Sequence, residues 1–167
     1  VILAFPSLLL ALVLVAVLVL AVSGGVGAGL LAMHPGKRLP EISVYSRGHT
    51  ERLSPYMYCN VLNLNECQNP RTQGDLRVTS RNPVQLSVPE EVSRAPWRLL
   101  RIYENVADST VALYRPGARS AVTIPTYDQH RGRLAGIVVQ LSTLVMDQSG
   151  ELQEVPHAEW SVRMDWS

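Results

Sequence analysis

An apolar run opens this chain and dictates its organisation. Val1 to Met33 contains no charged side chain and almost no polar one. At about 1.5 Å of rise per helical residue, Val1 to Val22 alone crosses a hydrocarbon core of about 30 Å, which predicts a transmembrane helix within 1–33. A cleaved signal peptide is the competing interpretation, but its apolar region extends about 7–15 residues, roughly half the length seen here. A retained, single-pass anchor is therefore expected. Pro6 lies near its start, where a helix tolerates it or bends. No cysteine follows the run directly, which excludes lipid attachment at that point.

Small residues gather in the second half of the run. Ala21, Gly25 and Gly29 stand four apart, with Ser23, Gly24, Gly27 and Ala28 among them. In lipid, small residues at this spacing let a second helix approach closely, so the three positions are the expected helix-packing face. The alternative is a chance cluster where the helix frays at the interface. Gly25-x-Gly27-x-Gly29 is not a phosphate-binding loop, because no strand precedes it and its surroundings are apolar.

His34 to Pro40 carries Pro35, Gly36 and Pro40, which end helical geometry and favour extended chain. The expected organisation is thus a helix over 1–33, a short stiff linker over 34–40 and one domain over 41–167, long enough for a modest core. All 15 Lys and Arg and all 14 Asp and Glu fall after the apolar run, with the signs interspersed. That balance offers nothing to nucleic acid, whose partners concentrate basic charge. Lys37 and Arg38 would draw the domain to the cytoplasmic side by the positive-inside rule. The chain starts at Val1, and a preceding segment richer in Lys and Arg is expected to reverse that bias.

Beyond residue 40 the pattern becomes short extended segments. Ile42, Val44 and Ser46 alternate inward in 41–47. Tyr56 to Cys59 leads into Val61 to Leu64, and further strands are predicted over 75–79, 84–88, 97–103, 110–115, 120–124, 133–145 and 159–166. Segments of this length, parted by Asn-Pro, Pro-Gly, Arg-Gly and Ser-Gly turns, predict an antiparallel Ig-like β-sandwich. One helical turn is predicted at 89–93, with Pro89 leading and two acids following.

Cys59 and Cys67 are the only cysteines, eight positions apart. An even count in a small β-rich domain beside an anchor points to a disulfide in an oxidising, extracytoplasmic compartment, two separate thiols being the alternative. The spacing matches neither a redox C-x-x-C nor a zinc pattern.

Tyr58-Cys59, then Cys67, Val84-Gln85-Leu86-Ser87-Val88-Pro89-Glu90-Glu91-Val92, Ala95-Pro96-Trp97-Arg98, Tyr103 and a late long strand together resemble an actinobacterial envelope family. It is known as a domain of unknown function, of the 2771 type, and the resemblance covers roughly 42–166. It implies an exported domain bridged between Cys59 and Cys67, and it supplies no activity and no catalytic residues. Many members carry a lipobox cysteine; this chain keeps a long helix without one, which implies a partner in a membrane assembly.

Side chains that could carry chemistry are sparse. His34, His49, His130 and His157 fall in the linker or in turn-like polar segments, without H-x-H or H-E-x-x-H spacing, and are expected at the surface. Asp128-Gln129-His130 sets an acid near a histidine, with no G-x-S-x-G elbow to accompany it. Glu90 and Glu91 are expected to face water. Trp97 should fill the core, while Trp166 either pairs in a last strand or is exposed as a partner contact. Arginine greatly outnumbers the single lysine, a composition common at protein interfaces and produced equally by high-GC codon usage.

Taken together, these features predict a non-catalytic, single-pass accessory subunit of an actinobacterial membrane complex, with no cofactor and no metal. Its partners would be integral subunits and the bilayer, a respiratory supercomplex being the leading candidate. A tethered module for an envelope lipid or glycan is the second expectation and requires an apolar pocket between the sheets or an exposed aromatic platform. A hydrolase built around His130 is the third.

Overall fold

The computed structural model describes residues 38–166; the predicted membrane helix, with Ala21, Gly25 and Gly29, and His34 lie outside the described residues. Among the described residues no helix is long and apolar enough to cross a membrane. They form an all-β domain in which side-chain alternation decides which face of each strand turns inward.

β1 (Ile42–Ser46) buries Ile42, Val44 and Ser46 and turns its intervening residues outward. Arg47 and Gly48 both adopt positive φ, 51° and 81°, and this two-residue turn suits the twist of the hairpin it closes. It leads into β2 (His49–Leu53), a strand the sequence does not announce, since four of its residues are exposed and only Leu53 is buried. His49 therefore sits in a strand and not in a turn. β1 also pairs with β6 (Val84–Ser87), and β6 with β9 (Ala121–Ile124), giving a four-stranded sheet in the order β2-β1-β6-β9.

The second sheet has eight strands. Its main path joins β4 (Asn63–Gln68), β3 (Met57–Asn60), β12 (Leu152–Trp166), β11 (Gly132–Met146), β7 (Trp97–Tyr103) and β8 (Thr110–Tyr114). β10 (Tyr127–Asp128) adds to β11, and β5 (Gln73–Val78) adds to β12. The β5–β12 pair is parallel, Gln73 opposite Ser161 through Val78 opposite Trp166, where the sequence pattern predicts antiparallel pairing throughout. Gly74 on β5 makes room for Leu53: a Cβ there would lie 2.5 and 2.7 Å from the leucine methyls. The predicted helical turn, α1 (Glu90–Ser93), bridges β6 and β7 as expected, with Glu90 and Glu91 in its first turn and both exposed.

The two sheets enclose one core. Ile42, Val44, Val84, Leu86 and Ile124 from the small sheet meet Trp97, Leu99, Ile137, Val139, Trp160 and Val162 from the large one. Trp97 and Trp160 are both 0% exposed, and each satisfies its indole N–H across the fold, Trp97 on the Arg119 carbonyl (3.3 Å) and Trp160 on that of Pro40 (2.9 Å). A buried tryptophan needs such an acceptor, because an unpaired N–H in a dry interior costs about 1–3 kcal/mol.

β11 and β12 are each 15 residues long, too long for the core they line. Their inner parts pair with β7, β3 and β5, whereas Ser142–Met146 and Leu152–Pro156 pair only with each other and continue past the core as a two-stranded arm. The arm begins at a bulge, because Leu141 is opposite Ala158 but Ser142 is opposite Pro156, leaving His157 as the extra residue. Arg98 on β7 pairs with Glu154 on the arm and braces its root.

Candidate functional site

One end of the sandwich collects the features that the core does not need. β3 runs antiparallel to β12 with Met57 opposite Glu159 and Tyr58 opposite Ala158, so the turn after Asn60 points the same way as the arm. Cys59 and Cys67 are opposite each other in the β3–β4 hairpin and are joined as a disulfide, with Cα atoms 4.0 Å apart. The bridge and two side-chain contacts, Asn60 Oδ1 accepting from the Leu62 N–H and Asn63 Nδ2 donating to Glu66, hold up a tip whose Leu62 is 95% exposed. The arm carries Leu144, Met146 and Leu152 on one face, all more than half exposed, since Leu144 and Met146 are two apart on β11 and Met146 faces Leu152 across the pair. Its turn is closed by Asp147, whose carboxylate accepts from the Ser149 hydroxyl and from the N–H groups of Ser149 and Glu151. These donors hold the carboxyl below the usual aspartate value, the Ser149 hydroxyl most of all.

At the root of the arm the bulge turns His157 inward. Surface placement is expected from the sequence, yet the ring is only 7% exposed and lies edge-on to Tyr58, with centroids 6.4 Å apart. The bulge explains the difference, because it lets His157 and Ala158 both face the interior. Burial pushes the imidazole below its ordinary value of 6.5, opposed by the Cys59 backbone, which favours the protonated ring. The folded domain thus prefers neutral His157, and its contribution to stability is complete above pH 6.5 and is lost as the pH falls below that value toward the lowered one. Thermal melts of the protein across this range should show the decline, and His157→Phe should flatten it. An unchanged slope in that variant would assign the decline to other groups; Asp128 and Asp147, both lowered from 3.8, act in a more acidic window.

The remaining sequence candidates separate. His130 is exposed, and it is its backbone N–H, not its ring, that donates to Asp128 Oδ1 (2.9 Å); Arg131 contributes its own N–H and its guanidinium to the same carboxylate. Asp128 is thereby occupied as the cap of a turn, and these donors, the His130 N–H foremost, hold its carboxyl below 3.8. Trp166 is half-buried in the last strand, donating its indole N–H to the Leu134 carbonyl (2.9 Å) beneath the Arg133 guanidinium, 5.0 Å from the ring centre. Among the described residues no group of three or more His, Cys, Asp or Glu side chains converges as a metal site would require.

An open depression of about 410 Å³ lies beside the first residues of the domain, lined by Glu41, Ser43, Arg52 and Ser87 with Ile42, Val88 and Pro89. It mixes both charges with hydroxyls and is not an apolar slot. The sequence misses His157 and the aliphatic tips for the same reason. None stands in a motif, and only the register of the arm and of the β3–β4 hairpin reveals them.

Comparison with known proteins places the chain in one lineage. A family model described as a protein of unknown function (DUF2771) matches residues 35–165. An uncharacterized protein of Mycobacterium bovis and two of Mycobacterium tuberculosis are each 61% identical over 148 residues, 89% of this chain and 91% of theirs. No solved structure matches. With a bridged hairpin, a long closing pair of strands and relatives this close, the chain belongs to the DUF2771 family of actinobacterial proteins.

Proposed function

We propose that this protein is a non-catalytic accessory subunit of an envelope membrane complex, held by a single helix over 1–33 with its β-domain on the extracytoplasmic side. The observation that carries this proposal is the construction of the domain: Trp97, Trp160 and their neighbours fill the space between the sheets, and the exposed aliphatic side chains are set apart on two hairpins at one end, as suits a domain that works by surface contact and not by enclosing a substrate. Ig-like sandwiches use their ends in the same way, as loop clusters on a rigid frame. The Cys59–Cys67 bridge supports an oxidising compartment. The function would be exerted by mass action, since a subunit that binds only the assembled complex stabilises that state. A respiratory supercomplex is the leading candidate.

The test is mild-detergent purification of the tagged protein with mass spectrometry of what accompanies it. Gly25→Ile with Gly29→Ile should abolish the co-purification of integral partners by blocking close helix approach. Partners retained in full by that double variant would remove the helix-packing part of the proposal.

Binding of an envelope lipid or glycan is the weaker proposal. Trp97, Trp160, Leu99 and Val139, all 0% exposed, fill the space between the sheets where an apolar ligand would have to lie. Tyr45, Tyr56 and Tyr127 are exposed but come from a strand, a loop and a strand at different places, not from one platform.

A further inference from the structure

The end of the sandwich that bears the aliphatic tips is also the end at which the chain joins the domain. Pro40 is fixed by Trp160, and the Ile42 end of β1 lies level with Val88, whose N–H donates to the Ser120 carbonyl, next to the Arg119 carbonyl that receives the Trp97 indole. Trp97 faces Leu141 and Leu141 faces Ala158, the last row of the core before the arm. The other end of β1 points toward Thr126, whose carbonyl accepts from the Leu134 N–H near the start of β11. The first described residues therefore leave the sandwich on the side toward which the arm and the β3–β4 hairpin project.

Chain length gives this placement a consequence. The apolar run ends at Met33, and the residues between it and Pro40 reach about 25 Å at full stretch. The arm residues beyond Leu141 reach back roughly 17 Å, and the turn adds more. We infer that this end of the domain is a membrane contact, in which Val61, Leu62, Leu144, Met146 and Leu152 rest in the interface of the bilayer that holds the apolar run, an inference that rests on the proposed single-helix tether.

The chemistry of the tips favours lipid over a protein groove. They are aliphatic and stand on two separate hairpins, without the Trp, Tyr or Arg anchors that dominate protein hot spots. Apolar side chains at the interface need only weak individual affinity when a tether keeps them at high effective concentration. Asp147 and Glu151 on the arm turn, and Glu66 beside the other tip, oppose an anionic surface, so the appropriate probe is a zwitterionic one.

The test uses the full chain reconstituted into phosphatidylcholine vesicles with brominated acyl chains, which quench nearby tryptophan. Residues 1–33 contain no tryptophan, Trp97 and Trp160 are buried, and Trp166 is half-buried against Leu134 at the far end, so quenching of the unsubstituted chain sets the baseline that is subtracted. Leu62→Trp and Leu144→Trp replace exposed residues at the proposed contact, and Tyr127→Trp, 49% exposed and at the far end, is the control. Quenching at 62 and 144 at least twofold above that at 127 is expected. A chain that floats with the vesicles yet shows equal quenching at all three positions overturns the membrane contact and leaves the tips to a protein partner. A chain that does not float overturns the tether itself, and the contact with it.

Discussion

Trp160→Ala is expected to lower the stability of the domain by about 3–5 kcal/mol, a large part of the about 5–15 kcal/mol that a folded domain commonly possesses. The side chain is 0% exposed at the centre of the large sheet, and the cavity left behind cannot easily close. Its strand is held on one edge by β11 and on the other by β3 and β5, so the backbone cannot sink into the space without breaking a ladder. Two further losses add to the cavity: the edge-on contact with Tyr58, at 6.4 Å between ring centres, and the donor to the Pro40 carbonyl. Trp160→Phe separates these effects, because it retains much of the volume and removes the hydrogen bond, for which about 1 kcal/mol is expected. Trp97→Ala should resemble Trp160→Ala, since it deletes the stack on Tyr114, 4.3 Å between centroids, as well as the bond to Arg119. Denaturant midpoints measured at constant slope give these differences directly. A loss of no more than about 1 kcal/mol in Trp160→Ala would mean that the two sheets can repack, and that the core is not organised around its tryptophans.

The contrast between the two halves of β12 shows what the sequence can and cannot convey. From Glu159 to Trp166 the strand lines the core, so Trp160, Val162 and Met164 alternate with outward residues and the strand is legible. From Leu152 to Pro156 the same strand lies beyond the core, no face is buried, and the alternation disappears. β2 is illegible for a related reason: four of its residues are exposed, and its place is fixed by the turn at Arg47-Gly48 and by pairing with β1. The parallel β5–β12 pair depends on a long-range choice of partner, and local pattern cannot encode it. Thr79, Asn82 and Thr126 illustrate that choice at the level of single atoms, since the Thr126 hydroxyl donates to the Thr79 carbonyl at 2.7 Å across 47 residues of chain. The inward placement of His157 is illegible because a bulge reverses the side a residue faces, and a bulge leaves no mark in composition. Trp97 and the 97–103 strand, by contrast, are legible because a tryptophan at the head of an alternating apolar segment has few alternatives to burial.

Removing the disulfide, as Cys59→Ala with Cys67→Ala, should lower stability by on the order of 2–3 kcal/mol, the loop-closure value for a bridge across so short a separation. The loss should not be spread evenly. The bridged hairpin is held to β12 by the pairing of Met57 and Tyr58 with Glu159 and Ala158 and by the Tyr56 N–H on the Glu159 carbonyl (2.7 Å), whereas β11 and β12 pair along most of their length. Without the bridge, β3 and β4 should open at lower cost than the rest, and hydrogen exchange should speed up at Tyr58 and Asn60 before it does at Val139 or Val162. Opening would also admit water to His157, which packs against Tyr58 and the Cys59 backbone. Its imidazole would rise toward the ordinary value, and the loss of stability below pH 6.5 should shrink in the double variant. The two readouts are linked by one physical cause, the covalent clamp that keeps the histidine dry. Unaltered exchange in β3 and β4, together with an undiminished pH dependence, would show that the hairpin is held by its strand pairing alone and that the bridge acts only on the unfolded chain.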